Sequence, residues 1–105
     1  MKRAILPPDE ERLVQIFKAL SNPVRLRMLR YMVEHPQCIV GDLVEFAELA
    51  QSTVSQHLKV LRDAGLIRGE IEGPATCYCL DLETLEWFQT QVNEFAQQLA
   101  LACCP

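Results

Sequence analysis

The chain has 105 residues, half of them hydrophobic, a formal net charge of −4 and five cysteines. That length supports one domain with a modest core, which association with a second copy would extend. The apolar runs are too short for a membrane span or a signal-peptide core, so a cytoplasmic location and no membrane partner are expected, and an odd cysteine count in a reducing compartment favours thiolate chemistry over a disulfide framework.

The charge is unevenly spread. Residues 1–20 carry four bases against three acids and residues 21–69 six against five, so each stretch is +1, whereas residues 70–105 carry six acids and no base. The acidity therefore belongs to the last third of the chain, and local potential at a binding face counts for more than the total.

In chain order, Pro7-Pro8 and an Asp9 cap introduce a helix whose stripe is Leu13, Ile16, Phe17 and Leu20. Ile39, Leu43 and Phe46 or Ala47 carry the next helical period, and Glu48-Leu49-Ala50 reads as a turn. From Gln51 the apolar positions Val54, Leu58 and Leu61 recur at steps of four and three, so one stripe faces a core. The outer face carries Ser52, Thr53, Ser55, Gln56, His57 and Lys59, with Arg62 one turn on. Ser52 or Thr53 can accept from an orphan backbone N–H, and Thr53 with Gln56 has capping-box spacing, which predicts a helix start there. A helix N-terminus attracts phosphate, and short hydroxyl and amide side chains on it reach base edges in a major groove. Alone, such a face is equally that of a solvated surface helix; two short helices joined by a tight turn make it a helix-turn-helix.

Downstream, Gly65 suits a left-handed cap, Leu66 to Glu72 reads as a strand, Gly73-Pro74 as a turn and Ala75 to Asp81 as the returning strand. The expected fold is mainly α with a small β-hairpin, a winged helix-turn-helix formed by one domain over 1–105. The helix-turn-helix falls at about 38–64, the wing at about 66–81 and a C-terminal dimerisation helix at about 82–102. In that last helix Leu85, Phe88, Val92, Phe95 and Leu99 recur at steps of three and four, the pattern two helices need to pack along their length. The alternative is that both terminal stripes cover their own domain's core. Intersubunit contact is favoured because so short a chain has few elements to cover both.

The run Leu20-Ser21-Asn22-Pro23-Val24-Arg25-Leu26-Arg27-Met28-Leu29, then Gly41-Asp42-Leu43, then Gln51 through Ile67, resembles the ArsR/SmtB family of bacterial metal- and redox-responsive repressors. The resemblance runs from about Leu13 to the C-terminus. It implies a homodimeric repressor that binds a palindromic double-stranded operator and is released by an inducer. The family usually places arginine in the wing, whereas the tip here is Glu72-Gly73-Pro74-Ala75-Thr76, so affinity is expected to rest on the helix and on dimerisation.

Cys103 and Cys104 close the last helix pattern, and thiolates are the preferred ligands of soft ions. Family members with a vicinal cysteine pair there resemble arsenite sensors, which makes trivalent arsenic or antimony the expected inducer, with Cys38 as a third ligand or else a buried small hydrophobe. The best-known arsenic sensors of the family read Cys-Val-Cys-Asp-Leu-Cys where this chain has Ile39, Gly41 and Val44 in place of the three sulfurs. Cys77 and Cys79 share one strand face and read as filler. Residues 82–105 contain no histidine, which disfavours the family's zinc site. A redox or persulfide sensor using Cys38 with Cys103 or Cys104 is the main competitor. A winged helix that binds protein instead of DNA is a third reading. Nothing in the sequence pairs a nucleophile, base and orienter or cradles an organic cofactor, so an enzyme is not expected.

Overall fold

A computed structural model describes residues 6–36, 38–69 and 77–104. The first helix, α1, spans Pro8–Leu20. The expected Asp9 cap is not formed: Pro7 is the N-cap and no side chain caps the helix. Pro8 explains the earlier start, since its ring presets φ and it has no N–H to leave unsatisfied; Asp9, Glu10 and Glu11 then fill the first turn, where they complement the helix dipole. The second helix, α2, spans Pro23–Glu34 and is capped by Asn22, whose Oδ1 accepts from the N–H groups of Val24 at 2.9 Å and Arg25 at 3.1 Å.

The expected helical period from Ile39 is corrected by the structure. Cys38–Ile39 form a short strand, β1, and α3 begins afterwards, spanning Val40–Ala47. The pairing of β1 with the later strand β3 (Cys77–Leu80) supplies backbone partners that outweigh a helical continuation of two residues. At the turn after α3, Glu48 adopts φ 55°, and its N–H donates to the Val44 carbonyl at 3.0 Å.

The helix α4 spans Gln51–Asp63. The expected Thr53–Gln56 capping box is not made: the N-cap is Ala50, without a side-chain cap, and the Ala50 carbonyl accepts from the N–H groups of Thr53 and Val54, both at 3.0 Å. The Glu48-Leu49-Ala50 turn delivers an extended residue at Ala50, so the helix opens before the hydroxyl residues and none of them is spent as its cap. Its C-terminus closes as a Schellman motif. Gly65 takes φ +84°, its N–H donates to Arg62 at 2.9 Å, and the Leu66 N–H reaches back to the Leu61 carbonyl at 3.0 Å.

Strand β2, Ile67–Gly69, pairs antiparallel with β3, giving a three-stranded sheet of order β1-β3-β2. The hairpin tip, including Glu72-Gly73-Pro74-Ala75-Thr76, lies outside the described residues. The last helix, α5, spans Leu82–Leu101 and is capped by Asp81, whose carboxylate accepts from the Thr84 N–H at 3.2 Å.

The core draws on most elements: Ile16 and Ala19 from α1, Met28 and Met32 from α2, Leu43 from α3, Val54, Leu58 and Leu61 from α4, then Leu66, Ile67 and Tyr78. The α4 stripe expected to face inward is wholly buried. The stripes of the terminal helices divide. Ile16 is buried, Leu85, Trp87 and Phe88 pack against the core, and Phe17 meets Phe88 edge-on with ring centroids 5.5 Å apart. Arg12 ties the same two helices together, stacking over Trp87 at 4.2 Å and donating to the Thr84 hydroxyl at 3.3 Å. From Asn93 onward every described residue of the chain is exposed, Phe95 and Leu99 included. The radius of gyration, 16.1 Å, exceeds the roughly 13 Å of a compact chain this long, as a helix projecting beyond its core requires.

Candidate nucleic-acid interface

With Val54, Leu58 and Leu61 turned inward, α4 presents the remaining residues of its surface to solvent. Ser52 and Gln56 are exposed, and Thr53, Ser55, His57, Lys59 and Arg62 are half-buried. The seven residues singled out in the sequence are thus brought together on one helix, mostly in its first two turns. Arg62 lies 3.8 Å from Asp63 across a solvent-exposed pair, a contact of the kind worth at most about 1 kcal/mol. At the root of the wing, exposed Arg68 stands opposite Cys79 in the strand register. Hydrogen bonding to the Cys79 side chain, with a further Coulombic contribution from Asp81, holds its guanidinium still more firmly protonated.

His57 has a defined partner that the sequence did not reveal. The Arg25 guanidinium lies with Nη1 3.3 Å from His57 Nδ1, while its Nε donates to the Ala19 carbonyl at 2.7 Å and Nη2 to the Lys18 carbonyl at 3.2 Å. One side chain on α2 therefore closes the end of α1 and braces the middle of α4. Burial, and then the positive charge of Arg25, push the His57 pKa below its ordinary value of 6.5. The Asn-Pro-Val-Arg run contains this arginine, but its contact with His57 joins residues 32 positions apart, beyond any local pattern.

The cysteines lie elsewhere. Cys103 and Cys104 follow the end of α5, both free and exposed, with the Cys103 thiol 3.6 Å from the Cys104 carbonyl. Cys38 sits in β1 with its Cα opposite that of Tyr78, and its side chain lies outside the described set. Cys79 is free and half-buried. Among the described residues no three of His, Cys, Asp or Glu converge as a metal site.

Two helices joined by a tight turn, the second with a polar outer face, followed by an antiparallel hairpin and a long closing helix, define a winged helix-turn-helix protein, an architecture common among DNA-binding regulators. Comparison with known proteins narrows the class. The model of the arsR family of bacterial regulatory proteins matches residues 22–68. The regulator YgaV of Escherichia coli is 30% identical over 102 residues, 97% of this chain and 96% of its own length. The arsenical resistance operon repressor of Bacillus subtilis is 41% identical over 69 residues, a match spanning 66% of this chain and 66% of that relative. In three dimensions, the crystal structure of an ArsR family transcriptional regulator superposes with a TM-score of 0.73 at 24% identity, covering 88% of this chain and 99% of the other, a likeness of fold. The chain belongs to the arsR family, whose members regulate transcription and are not enzymes. Among its described residues no helix is long and apolar enough to cross a membrane.

Proposed function

We propose that this protein is a homodimeric cytoplasmic repressor that docks through α1 and α5, places two copies of α4 in successive major grooves of a palindromic operator, and is released when a thiophilic inducer engages Cys103 and Cys104. The observation that carries the DNA part is the surface of α4: its apolar stripe is fully buried and its hydroxyl and amide residues remain uncapped and accessible at the N-terminal end. Ser52, Thr53, Ser55 and Gln56 serve as base-edge or phosphate contacts, His57 as a hydrogen-bond donor, and Lys59 and Arg62 as phosphate contacts.

The dimer reading is supported by the apolar residues that the chain leaves uncovered. Phe95 is 49% exposed and Leu99 57%. Beside them an open groove of about 490 Å³ runs between α1 and α5, its lining including Leu13, Val14, Phe17 and Phe95 together with Glu10, Gln91 and Glu94. A second copy related by a two-fold axis buries both surfaces at once, because each protomer offers the same patch.

The inducer assigned here is trivalent arsenic or antimony. Cys103 and Cys104 supply two soft donors, and arsenite chemistry uses two or three. A third sulfur comes from Cys38, of the same or the other protomer. The second reading is a redox or persulfide sensor, in which a sulfane-sulfur donor or other oxidant takes up two electrons as Cys38 becomes bridged to Cys103 or Cys104 by a disulfide or polysulfide link. Replacing Cys103 and Cys104 together with serine decides between site and bystander. Operator binding by reduced protein is expected to stay within two-fold of wild type, while arsenite, which weakens wild-type binding at least about five-fold, has no effect on the double variant. Full release of that variant by arsenite would exclude the pair; release of wild type by a persulfide donor but not by arsenite would select the second reading.

A further inference from the structure

We infer that Arg25 is a positioning residue that fixes His57 in the tautomer protonated at Nε2, so that the reading helix presents an obligate hydrogen-bond donor at position 57. This rests on the reading of α4 as the DNA-contacting helix and adds to it the rule by which one of its contacts discriminates.

A guanidinium has donors and no acceptor, so the ring nitrogen facing it must carry a lone pair. Nδ1 lies 3.3 Å from Arg25 Nη1 and is therefore the acceptor, which leaves the single ring proton of neutral imidazole on Nε2. The orientation of the guanidinium is fixed independently of histidine. Its Nε and Nη2 are held by the carbonyls of Ala19 and Lys18 at the end of α1, so two bonds aim the third. Arg25 is itself placed by the Asn22 cap, whose side chain accepts from the Arg25 backbone N–H. A ring protonated at both nitrogens would set N–H against N–H at this contact; burial first, and the Arg25 charge second, also lower the basicity of His57.

The consequence is chemical selectivity. A donor-only group accepts as partner a phosphate oxygen, guanine O6 or N7, adenine N7 or thymine O4, and is mismatched opposite the exocyclic amino groups of adenine and cytosine. Without Arg25, neutral imidazole would offer either polarity at Nε2 and discriminate less. Lysine at position 25 would retain charge but lose the planar fork that satisfies two carbonyls and the ring together.

Two measurements test this. Nitrogen-15 resonances of the imidazole in the DNA-free wild-type protein at pH 7.5 are expected to show one dominant tautomer, protonated at Nε2. A dominant Nδ1–H form, or an equal mixture, overturns the proposal without any need for a variant. Affinities are then measured on an operator selected from random duplexes by the wild-type protein. Arg25→Lys is expected to lose about ten-fold in the wild-type background, the size of one base contact, yet less than two-fold when His57 is already alanine. Equal losses in both backgrounds would mean that Arg25 acts only through the fold, and would overturn the assignment. Failure of the wild type to enrich any sequence is a different result: it strikes the DNA-reading function and leaves the tautomer measurement standing.

Discussion

At residue scale the proposed DNA face depends on a few short side chains on α4. Gln56, exposed in the second turn, has the donor-acceptor pair that reads adenine. Gln56→Ala is expected to weaken operator binding by about 1–3 kcal/mol while leaving affinity for scrambled duplex nearly unchanged, as fluorescence anisotropy at fixed salt will show. His57 supplies a prediction of opposite kind, on stability. Its folded pKa lies below 6.5, so the unfolded chain binds more protons as the solution is acidified. The stabilisation linked to His57 is therefore complete above about pH 6.5 and is lost as pH falls through the lower folded value. Urea midpoints between pH 7.5 and 5 should decline for this reason, and His57→Gln should flatten that part of the profile. The polar face of α4 was legible from spacing alone, since a period of 3.6 separates Val54, Leu58 and Leu61 from what lies between them. Arg25 was not, because its role depends on how α1, α2 and α4 meet.

At element scale the helices follow their apolar periods, and their starts do not follow the side chains that look like caps. Pro8 displaced Asp9, and Ala50 displaced Thr53, because a preset φ and an incoming turn settle where the first helical residue falls. Strand β1 escaped sequence reading for a related reason: two residues have no period, and β1 exists through its pairing with β3. At the other end of α4 the signal was strong. Gly65 holds φ +84°, and a Cβ there would meet the Thr84 hydroxyl at 3.3 Å. Gly65→Ala is expected to cost about 1–2 kcal/mol from the left-handed backbone, with more from crowding, measurable by denaturant titration. Because this turn joins α4, β2 and α5, the same substitution should also reduce operator affinity, whereas Gly41→Ala, with open space around its Cβ, should leave both measurements near wild type.

At the scale of the whole molecule, one chain looks unfinished. The first half of α5 is spent on the protomer's own core through Leu85, Trp87 and Phe88, and the second half carries Phe95 and Leu99 into solvent. The even spacing of these residues made the helix legible and hid this division, since periodicity gives a face and not what covers it. Phe95→Ser with Leu99→Ser should leave the protomer's stability within about 0.5 kcal/mol, both sites being exposed, and should shift the chain to monomer in sedimentation at micromolar concentration. With about half of each side chain left for a partner to cover, roughly 0.7–1.5 kcal/mol apiece, counted on both protomers, is enough for that shift. Four of the six acids of residues 70–105, Asp81, Glu83, Glu86 and Glu94, cap α5 or lie along it, and the proposed DNA face of α4 keeps its local bases.

The most direct test of the proposed assembly is the mass of its complex with an operator selected from random duplexes, measured by sedimentation on reduced protein and repeated with a scrambled duplex. Two chains per selected inverted repeat, with much weaker binding to the scrambled sequence, is the expected result. One chain per duplex, or equal binding to both sequences, would contradict it.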